Sequence, residues 1–431
     1  MYLSNVNGAR RGAVVLTASD QAESAAWPES SLKSPRAERL YAIDWLRLGA
    51  LLAVFLFHVC HIFDLAAQAN DLTHDPSPSV RNHDSSVILS VYAFFIYQWV
   101  MQLLFLLAGM TAWYSLRSRT RGQYLRERLR RLLVPFVFGS LTLIPWNGYV
   151  SALNHASFSG SFWQYFPIHF ERMWRALNIP RFHHGLIALY QTSWHLWFLA
   201  FLLIFALLAL PLQLRAGARI HRRTFVYLGE LAERPWGLAV LGLPIIAIKL
   251  SLNAAFPDYL DWSDTLVFFV LFTYGSLFMT DVRFTRVIAK QANAWLFIGC
   301  TAFGSLLGTH LLGFLEQWMS HPQYDKSYLG YQLLVGIDTW AWVLAITGFG
   351  LRLLNFRSHF LEYANEAALP FYVLHQSFVL TIAFVVVQYP VAICWKALII
   401  GIAAFVSTVL TYEFAVRRSG ILRILLGMKQ R

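Results

Sequence analysis

The stretch YAIDWLRLGALLAVFLFHVCHIFD, Tyr41 to Asp64, is apolar enough to cross a lipid bilayer, yet it carries Asp44, Arg47, His58, His61 and Asp64. An ionisable side chain at the bilayer centre costs about 3 kcal/mol or more, so a helix serving only as an anchor would not hold five such groups. Arg47 and His58 are 11 residues apart. At ~1.5 Å and ~100° per residue they are separated by about 16 Å along a helix, on nearly one face. Asp44, one turn before Arg47, shares that face and is spaced to pair with it. His61 and Asp64 continue the stripe, which must face a protein interior or a hydrated cavity. Three chemistries fit this pattern. A mid-membrane histidine can move protons near neutral pH. His58, His61 and Asp64, at i, i+3 and i+6, offer metal ligands, although no fitting Glu or Cys cluster lies elsewhere and no metal is expected. The same residues also fit a hydrogen-bonded packing element with an interfacial Asp44–Arg47 ion pair.

A second group lies in RSRTRGQYLRERLRRLLVP, where seven arginines fall between 117 and 131. Arg in place of Lys throughout favours planar, bidentate recognition of phosphate. Arg128 and Arg131, at i, i+3 on a helical continuation, would present two guanidinium forks side by side. Lipid phosphates or a nucleotide-bearing cofactor could occupy them.

The elements that position these groups are membrane helices. Of 431 residues, 57% are hydrophobic and 13% charged, with a mean hydropathy of +0.49, against about 25% charged in a soluble domain. Ten segments have roughly the 20 apolar residues that a span needs: about 42–65, 87–115, 132–152, 194–214, 236–256, 264–281, 294–315, 331–351, 367–388 and 391–415. With the N-terminus placed in the cytoplasm, the Lys and Arg residues fall almost entirely on the inside. The exceptions are Arg81, Arg172, Arg175, Arg181 and Lys326 outside, and Lys249 and Lys396 within helices. The positive-inside bias then gives an even number of spans with both termini cytoplasmic. The predicted fold is therefore all-α, a polytopic membrane protein of about ten helices. Residues 1–39 read as a flexible cytoplasmic tail and 417–431 as a basic one. The formal net charge of +12 follows from the same bias and calls for no nucleic acid. Cys60, Cys300 and Cys394 sit unpaired in apolar segments and read as core residues. Two long external segments, 66–86 and 153–193, are polar. The second is rich in aromatics, as suits a carbohydrate ligand.

Five motifs, in order and with compatible spacing over about 40–416, together resemble the membrane acyltransferase-3 family. They are Asp44, Arg47 and His58 of the first helix; QLLFLLAGMTAW (102–113); Arg128-x-x-Arg131; HLWFLAFLL (195–203); and ALPFYVLHQSFVL (368–380). LLVPFVFGSLTLIP and GSFWQYFP are most similar to the branch of periplasmic-glucan succinyltransferases. Ala108-Gly109 stands where the family helix usually reads Ser-Gly.

The resemblance implies transfer of an acyl group, acetyl or succinyl, from cytoplasmic acyl-CoA to a hydroxyl of an extracytoplasmic glycan at the inner membrane. His58 would be the general base, with Asp44 and Arg47 holding the helix end and the cofactor path. Arg128, Arg131 and Arg47 would bind the CoA phosphates. Tyr372 and His375 would form the far wall of the cavity, and His61, His195 and Trp197 would face the acceptor. Tyr372, His375, His195 and Trp197 equally fit helix packing. The expected partners are acyl-CoA, the glycan, membrane lipids and a second copy of the chain in a homo-oligomer. The competing reading is a proton-coupled transporter or flippase, since a polar stripe with a mid-membrane histidine also describes a proton relay.

Overall fold

The computed structural model describes residues 40–65, 79–177, 187–215, 219–314, 318 and 322–429. The expected N-terminal tail and parts of both long polar segments lie outside them. The described residues are mostly helical, with no strand among them. The helices are α1 (Tyr41–His61), α2 (Val87–Tyr97), α3 (Val100–Arg117), α4 (Arg121–Arg128), α5 (Val134–Asn154), α6 (Phe162–Leu177), α7 (Ile187–Ser193), α8 (Trp197–Leu208) and α9 (Leu210–Arg215). They continue with α10 (Arg219–Glu233), α11 (Gly237–Leu252), α12 (Trp262–Phe278), α13 (Val282–Leu311), α14 (Lys326–Leu353), α15 (His359–Val386), α16 (Ile393–Thr411) and α17 (Gly420–Leu425).

Each of the ten expected apolar segments falls on a helix, and among the described residues seven helical stretches are long and apolar enough to cross a membrane. The other three segments depart from the simple pattern. The fifth belongs to a pair, Arg223–Glu233 and Gly237–Leu252, bent by 109° at the break. The fourth and sixth are the shorter apolar helices Trp194–Leu208 and Trp262–Phe278. The chain is a multi-pass membrane protein.

α1 packs against α2, α3, α14, α15 and α16, and this central position lets a polar stripe be sheltered on several sides. Trp45 ties its first turn to the segment leading into α15: the indole N–H donates to the Phe356 carbonyl (3.2 Å) and the ring packs on Phe356 and Phe360. Between membrane helices, apolar burial does not drive association, so close backbone approach does. α3 and α12 use Gly109 and Gly275 for this. A Cβ on Gly109 would run into the Phe272 carbonyl oxygen, and one on Gly275 into that of Leu106. The contact is locked by Ser276, whose Oγ donates to the Gly109 carbonyl (3.0 Å) and accepts from Gln213 Nε2 (2.7 Å).

The residues after 416, expected as a basic tail, fold back onto the bundle. Arg423 is buried, and its guanidinium donates to the Lys429 carbonyl (2.9 Å) and Glu366 (3.0 Å). Arg130 donates to the Met428 carbonyl (3.4 Å), and Gly427, at φ 73°, passes beside the Arg131 carbonyl oxygen. The last residues thus brace the arginine-rich segment.

Candidate active site

The stripe on α1 divides into three parts. At the first turn, Arg47 Nη2 donates to Asp44 Oδ1 (3.0 Å) and to Asn365 Oδ1 (2.5 Å), which ties α1 to α15. At the far end, His61 stacks on Phe57 (5.5 Å between centroids). Its Nδ1 lies 3.5 Å from Asp64 Oδ2, an ion-pair distance longer than a good hydrogen bond. Between them, about 16 Å from Arg47 by helix rise, His58 is half-buried and has no hydrogen-bond partner among the described residues.

His58 does not stand by itself. Its ring centroid is 5.4 Å from that of His375 on α15, and His375 is 5.8 Å from His195. The sequence places these three histidines on different helices far apart in the chain. Three local devices bring them together. Trp194, at φ 42°, turns the chain into the 3-10 segment Trp194–Leu196, so that His195 points inward. Gly139 on α5 lacks the Cβ that would strike Leu196, so α5 can sit against both Leu196 and Val373. Finally, His195 Nε2 donates to the Val373 carbonyl (3.2 Å), while the Tyr372 hydroxyl donates to the His195 carbonyl.

These bonds fix the histidine tautomers, by inference from the partners. His375 Nδ1 faces the carbonyls of Tyr372 (2.7 Å) and Phe371 (3.2 Å), so it carries the proton. The lone pairs of His375 Nε2 and His195 Nδ1 are left buried and without partners. A buried acceptor left unmatched costs about 1–3 kcal/mol, and a donor from a bound molecule would remove that cost. Of the three rings, His375 and His195 are closed off, at 1% and 8% exposure. His58 is the one with open surface.

Trp197 is not part of this group. Its ring is buried among Phe105, Phe201, Tyr259 and Phe268. Above the 3-10 turn sits a layer that sequence reasoning missed. His169 on α6 packs edge-on to Trp194 (5.6 Å), both beside Gly148. Burial, and then the neighbouring Arg172, push the His169 imidazole down to about 4. Asn147 on α5 is wholly buried, and neither atom of its amide has a partner. A lone amide within an apolar span was the available signal.

The arginine group differs from the α-helical picture. Between Arg128 and α5 the chain makes a π-turn, Leu129–Leu133. Arg128 lies over the buried Tyr124 ring (5.0 Å). Arg131 Nη1 is 3.5 Å from Glu127, which also holds Arg119 (2.8 Å). The two forks are therefore drawn to different neighbours, though Arg119, Arg128, Arg130 and Arg131 remain within electrostatic range of one another. Among the described residues, no group of three or more His, Cys, Asp or Glu is placed to hold a metal ion.

The family model for the acyltransferase domain of the acyltransferase-3 type matches residues 40–412. The chain belongs to that family. The match covers α1 through α16 and so includes every helix of the histidine group. No curated protein and no solved structure matches this acyltransferase.

Proposed function

We propose that this acyltransferase moves an acetyl or succinyl group from cytoplasmic acyl-CoA to a hydroxyl of an extracytoplasmic glycan, in the inner membrane, through a bundle with both termini inside. The ten apolar segments would then provide the spans, the bent and short helices among them. The observation that carries this reading is the half-buried imidazole of His58, without a hydrogen-bond partner among the described residues and backed by two closed-off histidines with unmatched lone pairs. An imidazole so placed can take the proton from an acceptor hydroxyl as that oxygen attacks the thioester carbonyl carbon. The carbon–sulfur bond breaks, and the thiolate leaves with the proton returned from His58, as free CoA thiol. No net proton is consumed. General base catalysis of this kind is worth about 10²–10⁴-fold. Arg128 and Arg131 would bind the CoA phosphates, with Arg47 along the path inward.

The test uses purified protein in nanodiscs, acyl-labelled acetyl-CoA or succinyl-CoA, and envelope oligosaccharide from cells lacking the protein. Label in the oligosaccharide supports the reading, and the Arg128→Ala/Arg131→Ala double variant should raise the donor KM at least tenfold. Equal donor affinity in wild type and double variant would remove the phosphate assignment. No label from either donor, together with glycan movement into vesicles, would replace the transferase by a transporter.

A further inference from the structure

One layer outward from His195, three tyrosines from separate parts of the chain meet, and a fourth lies nearby. Tyr259 is 5.3 Å from Tyr97 and 5.7 Å from Tyr190 between ring centroids, and its ring also stands edge-on to Trp197 at 6.0 Å. Tyr331 is within electrostatic range of Tyr97, as Tyr372 is of Tyr259. The group therefore adjoins the histidine site through Tyr372. Tyr97 is 43% exposed, and Tyr190, Tyr259 and Tyr331 are half-buried. Among the described residues, the hydroxyls of Tyr97, Tyr259 and Tyr331 make no hydrogen bond.

The loop that carries Tyr259 is held unusually firmly for a connection. Lys249 Nζ donates to Asp264 Oδ1 (2.6 Å), and the Leu260 N–H to Asp264 Oδ2 (3.2 Å). Asn253 Nδ2 donates to the Tyr328 hydroxyl (2.8 Å), and Ser263 Oγ to Asn253 Oδ1 (3.0 Å). Leu260 is fully buried at φ 66°, a conformation that costs a leucine about 1–3 kcal/mol and persists only when its surroundings impose it. All of this fixes the position of a single half-exposed ring, that of Tyr259.

We infer that Tyr97, Tyr190, Tyr259 and Tyr331, with Trp197 behind them, form the acceptor subsite and that its ligand is a neutral sugar residue. A phenol ring offers an apolar face to the C–H face of a pyranose, and its free hydroxyl gives and accepts hydrogen bonds at the ring's edge. Among the described residues, the charged group within electrostatic range of Tyr97 and Tyr259 is the carboxylate of Asp264, which Lys249 holds at 2.6 Å, so no cation there faces an anionic headgroup. The inference rests on the acyl-transfer reading and adds the residues that hold the acceptor while His58 acts.

The experiment measures label transfer from acyl-CoA to the same envelope oligosaccharide fraction, with donor and acceptor varied separately. Tyr259→Ala and Tyr97→Ala should each raise the acceptor KM at least tenfold, and Tyr259→Phe about threefold, while the donor KM stays within twofold. The unchanged donor KM shows that each variant is folded. Quenching of tryptophan fluorescence by the oligosaccharide should weaken in parallel. If wild type transfers label and the variants keep the wild-type acceptor KM, the subsite is wrong and the transferase reading stands. If the variants raise donor and acceptor KM together, the tyrosines only hold the fold, and the inference also fails. If wild type transfers no label, both readings fall.

Discussion

Replacing His58 by alanine should separate catalysis from stability. The ring has open surface and no hydrogen-bond partner among the described residues, so its removal strands no donor or acceptor and only enlarges an existing opening. The unfolding temperature in detergent should therefore shift by no more than a degree or two. Acyl transfer should fall 10²–10⁴-fold, equal to about 2.7–5.5 kcal/mol of barrier at 1.36 kcal/mol per decade. His375→Ala makes the informative contrast. That ring is fully buried, stacked on Phe371 at 5.8 Å and edge-on to Phe55 at 6.1 Å. Its truncation should cost stability on the scale of a buried large-to-small change, about 2–5 kcal/mol, as well as activity. The assays are single-turnover acyl transfer in nanodiscs and thermal unfolding of the same preparations. Added imidazole should restore part of the activity of His58→Ala through the open surface. Substantial turnover in His58→Ala, or a loss of activity matched by a loss of stability, would refute the general-base argument and move attention to His375.

Gly109→Ala or Gly275→Ala should each separate α3 from α12, since the added methyl meets backbone rather than a movable side chain; at about 3 kcal/mol or more, little monodisperse protein should survive size-exclusion chromatography. Asp44→Asn should weaken the α1–α15 tie, and a double-mutant cycle with Asn365→Ala should show coupling above about 0.5 kcal/mol, because both side chains hold the same Arg47 nitrogen; additive losses would show that they act separately. Asp281 caps α13 through the Arg283 N–H, and its hydrogen bond to the Arg283 side chain holds its carboxyl below the usual range. Asp281→Ala should cost about 1–2 kcal/mol. A depressed folded pKa gives stability that is present above the unfolded value of about 3.9 and lost as pH falls through the folded value, so the wild-type advantage should vanish in acid melts and persist at neutral pH.

The apolar segments were legible because a bilayer imposes length and composition on any helix that crosses it, and the charged stripe on α1 was legible because such residues are costly there. Helix periodicity alone related Asp44 to Arg47, and their bond is present in the structure. Contacts between distant segments were a different matter. Nothing in the local sequence around His195 or His375 specifies that they meet His58. That depends on the backward turn at Trp194 and the missing Cβ of Gly139. Tyr259 was invisible for a related reason: its loop has no periodicity, and the strained Leu260 beside it is imposed by Asp264 and Lys249 rather than by local preference. The bend between α10 and α11 likewise lies in a short break, Arg234-Pro235, that hydropathy reads only as the edge of a span.

The π-turn between α4 and α5 has a consequence for how the chain can change in length. Its closing bond runs from the Val134 N–H to the Leu129 carbonyl, one residue wider than an α-helical turn. Removing one residue from Leu129–Leu133 would let the helix close in the ordinary way, with the faces of α4 and α5 both kept. In a regular α-helical span a deletion turns everything beyond it by about 100° and destroys the packing. Here the basic helix and the span below it are joined by slack of one residue. A variant of this protein shortened at that turn should still fold, with its arginines and its histidines facing as before.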